Sequence, residues 1–251
     1  MNIIHEDSDF VVVNKPAGVL THRTSHSFEP ALADEAVEGY PEMAGVGDLP
    51  ELRPGVVHRL DKDTSGVVVF ARNQKFFEYL KGCFKEGKVK KTYLALVWGR
   101  TPDRGTIDAP IGLKSGSTRR SVLPPSQGYG RAGARNMKMV KPARTEYQTE
   151  RHFSYEGEEF SLVKLFPKTG RTHQLRVHLL HIHHPVVGDP LYGKRKNPFG
   201  LARQFLHADT IEFPIPGGKR ASFGADLPTD LEAVLKVLVP YPSRKGEGLT
   251  K

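Results

Sequence analysis

The feature that most constrains the fold is a series of short apolar or alternating segments, separated by glycine, proline and acidic turn residues. Alternation with a period of two residues is typical of β-strands. The predicted strands lie at residues 3–4, 10–13, 67–71, 90–99, 145–153, 160–166, 206–213 and 219–223. Because these segments do not alternate regularly with helices, the sequence predicts an α+β domain built on a mostly antiparallel sheet.

Helical spacing is restricted to a few stretches. The predicted helices lie at residues 28–39, after Asn73 up to Phe84, at 170–182 and at 229–238. Asn73 is a favourable N-cap residue. In the third helix Leu175, Leu179 and Ile182 form the predicted buried stripe. We expect one domain over residues 1–240, followed by a disordered tail at 241–251.

The composition excludes several protein classes. No apolar run approaches the roughly 18 residues that cross a bilayer, and the N-terminus has no apolar core typical of a secretory signal. A cytoplasmic protein without membrane contact is therefore expected. The single cysteine, Cys83, excludes a disulfide framework and a multi-thiolate metal site. The chain carries 37 basic and 28 acidic residues, a net charge of +9 that favours a polyanionic partner, most simply a nucleic acid.

The positive charge is concentrated between Asp108 and Glu146, where there is no acidic residue. The basic side chains of this segment are Lys114, Arg119, Arg120, Arg131, Arg135, Lys138, Lys141 and Arg144. Its glycine, serine and proline content predicts a mobile loop. Such a loop can contact RNA phosphates, since neutralised phosphates release their counterions. A solvated loop without a partner is the alternative.

Histidines form a second cluster, at positions 173, 178, 181, 183 and 184. Their density suggests zinc, but the sequence has no HExxH motif and no carboxylate follows until Asp189. We expect these side chains to cap a helix end and to face RNA or solvent, without a metal. A metal-dependent hydrolase remains as a further hypothesis.

The segment HRLDKDTSG, residues 58–66, places Asp61 directly before the apolar strand VVVFA. A carboxylate at the start of a buried strand can act on a ligand that lies over the sheet. The alternative is a structural turn whose Asp63, Thr64 and Ser65 bind backbone amides. The residues alone leave both interpretations open.

HRLDKDTSG resembles the signature of the RluA-type pseudouridine synthases. Further blocks of the sequence resemble the same family and occur in the family's order, from about residue 3 to 239. These blocks are VVVNKPAGVLTH (11–22), KKTYLALVWG (90–99), KPARTEY (141–147), PKTGRTHQLRVHL (167–179), HHPVVGDPLYG (183–193) and LHADTIEF (206–213). The resemblance implies the pseudouridine synthase catalytic fold, with a mixed but mostly antiparallel central sheet flanked by helices and loops.

The resemblance also implies a reaction: a uridine within ribosomal or transfer RNA is isomerised to pseudouridine, by a monomer that uses no cofactor or metal. The family's catalytic aspartate corresponds to Asp61, its active-site tyrosine to Tyr93 and the paired arginine to Arg176. Arg59 resembles the residue that fills the space of the flipped base. The other residues expected to contact RNA are His58, Arg119, Arg120, Arg131, Arg171 and His173.

These roles agree with physical expectation. A guanidinium such as that of Arg176 favours the ionised form of Asp61, which could attack the ribose or remove a ribose proton. Tyr93 offers a flat face for stacking on uracil and a hydroxyl group. A base inside stacked RNA has to be extruded at a cost of a few kcal/mol.

Many members of the family begin with a small basic RNA-binding module. Here the NKPAG block lies almost at residue 1, so we expect the catalytic domain itself to select the target, with the 114–140 loop as the first candidate. A non-catalytic RNA-binding protein on the same scaffold is the alternative. The combination of Arg59, Asp61, Tyr93 and Arg176 argues against it, because a protein that only binds RNA does not need that set.

Overall fold

The computed structural model describes residues 1–24, 29–117, 119–123, 137–193 and 197–241. Of the predicted RNA-contacting residues, Arg131 lies outside these ranges. The predicted tail also lies outside them, except for Tyr241. That residue is bound to the sheet, since its backbone N–H donates to the carbonyl of His152 and its hydroxyl donates to Glu159.

The sheet strands share the pattern that the sequence predicts, with apolar residues on the faces that become covered. The strands are β1 (Ile3–Glu6), β2 (Phe10–Lys15), β3 (Ser65–Ala71), β4 (Lys90–Trp98), β5 (Arg104–Asp108), β6 (Ile111–Lys114), β7 (Arg120–Val122), β8 (Met137–Lys141), β9 (Arg144–Tyr155), β10 (Glu158–Pro167), β11 (Leu206–Pro214), β12 (Arg220–Gly224) and β13 (Val239–Pro240). The α-helices are α1 (Leu32–Gly39), α2 (Gln74–Lys85), α3 (Gln174–His181) and α4 (Thr229–Val237), with a 3-10 helix at Pro41–Gly45.

The main sheet has the order β1-β2-β3-β11-β4-β10-β9-β13, with β12 beside β11 and β5 beside β9. Its strand pairs are antiparallel except β3 with β11, which are parallel. The prediction of a mixed, mostly antiparallel sheet in an α+β fold is confirmed. Asn73 also caps α2 as predicted, because its side chain accepts a hydrogen bond from the backbone of Phe76 at 2.9 Å.

Two hydrophobic cores lie along this sheet. The first packs β1–β3 with α1, α2 and part of β11, and we call it the N-terminal half. The second packs β4, β5, β9 and β10 with α3 and α4, and we call it the C-terminal half. The parallel contact between β3 and β11 lies at the boundary of the halves, where Gly66 faces Ala208. Tyr93 packs against both cores.

Two helices differ from their predicted bounds. The first begins at Leu32 instead of residue 28. The third begins at Gln174 instead of 170, because His173 adopts a left-handed backbone conformation (φ 56°) that cannot continue a helix. The predicted stripe is confirmed, since Leu175 and Leu179 are buried and Ile182 packs against the core. The buried surface of α3 is wider than this stripe, because Gln174 and His178 are buried as well.

The basic segment is more ordered than a loop. Its described parts form a three-stranded sheet, β7-β6-β8, so the prediction of a continuous mobile loop is wrong over these strands. Because the segment has many glycines and prolines, which are typical of loops, these strands were not predicted from the sequence. Over the ranges that the structure covers, no helix is long and apolar enough to span a bilayer.

Candidate active site

A groove of about 1160 Å³ opens where the loop before β3, the first residues of β4 and the loop after β10 come together. The two halves of the sheet therefore both contribute side chains to it. Of the predicted site residues, the groove is lined by His58, Arg59, Asp61, Tyr93, Arg171, His173 and Arg176.

Asp61 and Arg176 are 115 residues apart in sequence and in contact in space. Nη1 of Arg176 donates to Oδ2 of Asp61 at 3.1 Å. The Asp61 side chain is 20% exposed, whereas that of Arg176 is 4% exposed. The carboxylate is thus open to the groove, and the buried guanidinium of Arg176 pairs with it.

Arg176 is held by a second carboxylate that the sequence analysis did not identify as a site residue. Its Nε and Nη2 donate to the two oxygens of Asp189 at 2.7 and 2.8 Å, a bidentate geometry. The Asp189 side chain is fully buried and accepts two further bonds, from the backbone N–H groups of Leu191 and Tyr192. Although burial opposes it, the hydrogen bonds and charges of Asp189 and Asp61 raise the pKa of Arg176. Arg176 is therefore a fixed, permanent cation.

The loop that carries Asp61 is held in place by Lys15, which is fully buried. Its Nζ donates to the carbonyls of Pro16, Val19 and Lys62 at 2.8, 2.6 and 2.8 Å. Burial lowers the pKa of Lys15 to about 7, and the negative charges of Asp63 and Asp61 act in the opposite direction. Lys15 thus joins the NKPAG turn to the residue that follows Asp61.

Tyr93 lies on β4, half-buried between the two cores. Burial, and then the charge of Asp61, raises the pKa of its hydroxyl. The phenol therefore stays protonated at neutral pH. A neutral ring beside the Asp61 carboxylate can stack on a planar base and donate a hydrogen bond.

Arg59 is exposed at the margin of the groove, and its entry into RNA stays a prediction. Its Nη1 lies 3.3 Å from Nε2 of His22. Nδ1 of His22 lies 2.5 Å from the carbonyl of Arg23, so this nitrogen carries the proton and Nε2 accepts from Arg59. Burial, together with the nearby arginines, lowers the pKa of His22 and keeps its ring neutral. His22 was not singled out from the sequence.

His58 lines the groove but is already engaged with the protein. Its Nε2 accepts a hydrogen bond from the backbone of Val69 at 3.0 Å, and its ring stacks on Phe84 with centroids 5.2 Å apart. Burial, with a contribution from Lys91, lowers the pKa of His58 to about 3. The ring is neutral near pH 7, so a charge contact from His58 to RNA is disfavoured. An RNA contact of another kind stays a prediction.

His173 closes the site on the other side of Asp61. Its Nε2 lies 4.0 Å from Oδ2 of Asp61, and its Nδ1 lies 3.0 Å from the hydroxyl of Tyr192. The same hydroxyl accepts a hydrogen bond from the backbone of Arg120 on β7. Tyr192 therefore connects the small basic sheet to the groove, and it too was missed from the sequence.

The loop before α3 is shaped by Gln174. Its Oε1 accepts from the backbone of Arg171 and from the hydroxyl of Thr169, and its Nε2 donates to the carbonyl of Arg144. Arg171 donates from Nε to the carbonyl of Pro142. The loop thus presents Arg171 and His173 at the groove from fixed backbone positions.

For the remaining predicted residues, the structure gives different outcomes. Arg119 is exposed and Arg120 half-buried, and neither lines the groove, so their contact with RNA stays a prediction. His178 does not face RNA or solvent: it is fully buried, and its ring nitrogens contact Thr145 and the carbonyl of Ala109. In the described part of the chain, no group of three or more histidine, cysteine or acidic side chains is placed to hold a metal ion.

The missed residues have a common signal in the sequence. Lys15 and His22 lie within VVVNKPAGVLTH, while Asp189 and Tyr192 lie within HHPVVGDPLYG. Both blocks carry the family resemblance. Polar residues inside such blocks are candidates for the site even where they follow no chemical motif.

Comparison with known proteins gives consistent matches. A family profile described as RNA pseudouridylate synthase matches residues 9–181. A protein of Chloroflexus aurantiacus described as an uncharacterized RNA pseudouridine synthase is 41% identical over 226 residues, or 90% of this chain. The ribosomal large subunit pseudouridine synthase D of Zymomonas mobilis is 32% identical over 248 residues, or 95% of this chain. The chain spans 65% of the length of the Chloroflexus protein and 73% of the Zymomonas protein.

Among solved structures, the chain is similar to human RNA pseudouridylate synthase domain containing 1. The TM-score is 0.73 at 30% identity, and the match covers 96% of this chain and 88% of the human one. Human RNA pseudouridylate synthase domain containing 4 matches with a TM-score of 0.71 at 24% identity, over 94% of this chain and 93% of that one, and supports the fold.

Proposed function

Because the chain belongs to the RNA pseudouridylate synthase family, we propose that it isomerises uridine to pseudouridine within an RNA chain, with Asp61, Tyr93 and Arg176 at the reacting nucleotide. The observation that carries this proposal is the 3.1 Å contact between Asp61 and Arg176 inside the groove. In this contact the Asp61 carboxylate lies with its cationic partner near the neutral ring of Tyr93, in a groove that is open to a large ligand.

In this isomerisation the bond between uracil N1 and ribose C1′ breaks, and uracil C5 forms a bond to the same ribose carbon. The proton on C5 leaves and N1 gains one, so the composition of the nucleoside does not change. Asp61 has to be ionised both for attack on C1′ and for removal of a ribose proton. The guanidinium of Arg176 pairs with the Asp61 carboxylate, so its position supports either route.

Tyr93 supports the reaction as a neutral phenol. Its ring offers a face on which the extruded uracil stacks, and its hydroxyl can donate to a uracil oxygen. The cost of extruding the base is a few kcal/mol. Arg59 at the groove margin offsets part of that cost by occupying the space that the base leaves, as the family resemblance implies.

The substrate class follows from the relatives. The Zymomonas protein is named for the large ribosomal subunit. We therefore propose ribosomal RNA of the large subunit as the first substrate to test, and transfer RNA as the second. The family resemblance further supports a monomer that acts in the cytoplasm without metal or cofactor.

The test is Asp61→Asn in a tritium-release assay on RNA labelled at uracil C5. The substitution keeps the shape of the side chain and removes its charge. We expect turnover to fall below detection while RNA affinity and the melting temperature stay close to those of the parent protein. Pseudouridine mapping in cells with and without the gene then identifies the modified position.

Asp63→Asn is the matched control, because it removes a second carboxylate from the same loop two residues later. We expect this variant to keep turnover within about threefold of the parent, since its loss changes only a longer-range charge interaction. Full turnover in Asp61→Asn would remove Asp61 from the reaction. A parent protein that binds RNA but releases no tritium would favour the non-catalytic alternative.

A further inference from the structure

One lysine of the groove carries an unbalanced charge. Lys91 precedes Tyr93 by two residues on β4, so the two side chains lie on the same face of the strand. Its Nζ lies 5.8 Å from the centre of the Phe84 ring and 4.0 Å from the position that a Cβ on Gly170 would take. Within the described ranges, this ammonium has no ion pair and no hydrogen-bond acceptor.

The other basic groups around the groove differ from Lys91. Lys168 pairs with Glu146 at 2.9 Å, and Lys90, the neighbour on the same strand, pairs with Glu212 at 3.2 Å. Arg171 donates to a backbone carbonyl. Lys85 is fully exposed to solvent, which solvates its charge at little cost. Lys91 is half-buried and lacks a partner in the described structure.

An unpaired ammonium in this position costs stability. Burial lowers the pKa of Lys91 to about 8, which shows that the surroundings disfavour its charge. The face of the Phe84 ring, 5.8 Å away, offers only a weak cation–π attraction in return. The fold therefore does not compensate the charge of Lys91, but an anion that enters the groove would.

We propose that Lys91 binds a phosphodiester of the RNA, next to the uridine that lies against Tyr93. Two residues along a strand span about 6.6 Å, so the ammonium is placed beside the base platform and not beneath it. Lysine binds phosphate as a point charge and needs no fixed fork geometry, which suits a flexible side chain above Phe84. The inference rests on the proposed function, since it takes RNA to occupy this groove.

The test measures the affinity of a short single-stranded oligouridylate by fluorescence anisotropy over a range of salt concentrations. All proteins carry Asp61→Asn, so that the RNA is bound and not converted. We expect Lys91→Met to bind about tenfold more weakly at low salt, because one charge-assisted contact is lost. The slope of log affinity against log salt should fall by about 0.7, the value for one phosphate on a single strand.

Two further variants make the comparison specific. Lys90→Met removes the neighbouring charge, which also lines the groove but is already paired with Glu212, and should change the slope much less than Lys91→Met. Lys91→Arg keeps the charge and should keep the parent slope. Lys91→Met should also melt at the same temperature as the parent or at a higher one, because it removes an uncompensated charge that is half-buried.

An unchanged salt slope in Lys91→Met would overturn the proposal, as would an equal effect of Lys90→Met. A clear drop in the melting temperature of Lys91→Met would also overturn it, since the amine would then serve the fold. These readouts do not depend on turnover. If the parent protein releases no tritium, the proposed isomerisation fails, and the slope comparison still decides the phosphate site.

Discussion

In the N-terminal half of the sheet the site's carboxylate lies on a loop, whereas in the C-terminal half its guanidinium lies on a helix. Asp61 is positioned through backbone carbonyls that the buried ammonium of Lys15 binds, and its own side chain stays partly exposed. Arg176 is positioned through its side chain, by the buried carboxylate of Asp189. The acid is therefore free to meet a substrate, while the cation is fixed before any substrate arrives.

This difference shows which contacts fix the geometry of the site. Neither half contains a complete site, because the contact between Asp61 and Arg176 exists only when the halves are joined in register. The joint is the parallel pairing of β3 with β11, at Ser65 with His207 and at Gly66 with Ala208. A change at this joint, in the C-terminal half or in the N-terminal half should therefore have different effects.

The largest effect is expected at the joint itself. Gly66 has φ +120°, and a Cβ there would lie 2.2 Å from the carbonyl oxygen of Ala208. We expect Gly66→Ala to lose more than about 3 kcal/mol of the free energy of unfolding, because a strained φ adds to a backbone clash. Urea denaturation, or the soluble yield if the protein does not fold, measures the loss.

Gly87→Ala is the control for the backbone strain alone. Gly87 also has a positive φ, of +69°, but no atom lies within 4 Å of the position that its Cβ would take. This variant should lose about 1 kcal/mol. Equal losses in the two variants would show that the close approach of β3 to β11 does not limit the fold.

The next effect concerns the cation. Asp189→Asn leaves the buried guanidinium of Arg176 with one charged partner, Asp61, in place of two. We expect a loss of about 3 kcal/mol in stability from the broken buried pair. Turnover should fall by about a hundredfold, because the guanidinium is no longer fixed in place. Urea denaturation and the tritium-release assay measure the two effects.

Asp230→Asn tests whether the loss of any bidentate pair between a carboxylate and an arginine would have the same effects on stability and turnover. Asp230 binds Nε and Nη2 of Arg203 at 2.7 and 2.9 Å, nearly the geometry of Asp189 with Arg176, but its side chain is 46% exposed. Because the Arg203 side chain is only 8% exposed, this variant should lose about 1 to 2 kcal/mol, less than Asp189→Asn, and should keep turnover within a few fold. If Asp189→Asn behaved like Asp230→Asn, the fixed cation would not matter to the reaction.

The sequence predicts the parts of the two halves whose cause is local. The helix α2 follows from the cap at Asn73 and the spacing of Phe76 and Leu80, and β4 follows from its alternation. Asp61, Tyr93 and Arg176 follow from the family resemblance. Asp189 could not be derived as the partner of Arg176, because local spacing does not show that the chain returns beneath the helix.

Other errors have the same physical origin. Lysine is rarely buried, so nothing in the composition indicated that Lys15 lies inside the protein. The polar residues of α3 read as a solvated face, yet Gln174 and His178 find buried partners on β9 and the segments beside it. The burial of these side chains depends on partners from distant parts of the chain, and the pattern along one segment does not show those partners.

The effect that should be smallest near pH 7, and should grow as the solution becomes acidic, is a dependence of stability on pH that begins in the N-terminal half. The ring of His58 has a pKa of about 3 in the folded protein, because burial disfavours its charge, against about 6.5 for an unperturbed histidine. As pH falls below 6.5, the unfolded chain gains this proton and the folded chain does not. Stability is therefore lost between about pH 6.5 and 3, with a slope of up to about 1.4 kcal/mol per pH unit from this group.

His58→Gln should flatten that slope, and the change can be read from urea denaturation at a series of pH values. In the C-terminal half, burial lowers the pKa of His178 in the same direction, so part of the slope should remain. Leu180→Gln, at an exposed position on the same helix that carries no titratable group, should leave the parent slope unchanged. If His58→Gln also left it unchanged, the hydrogen bond from Val69 would not hold a neutral ring, and a protonated His58 facing RNA would again account for its place in the groove.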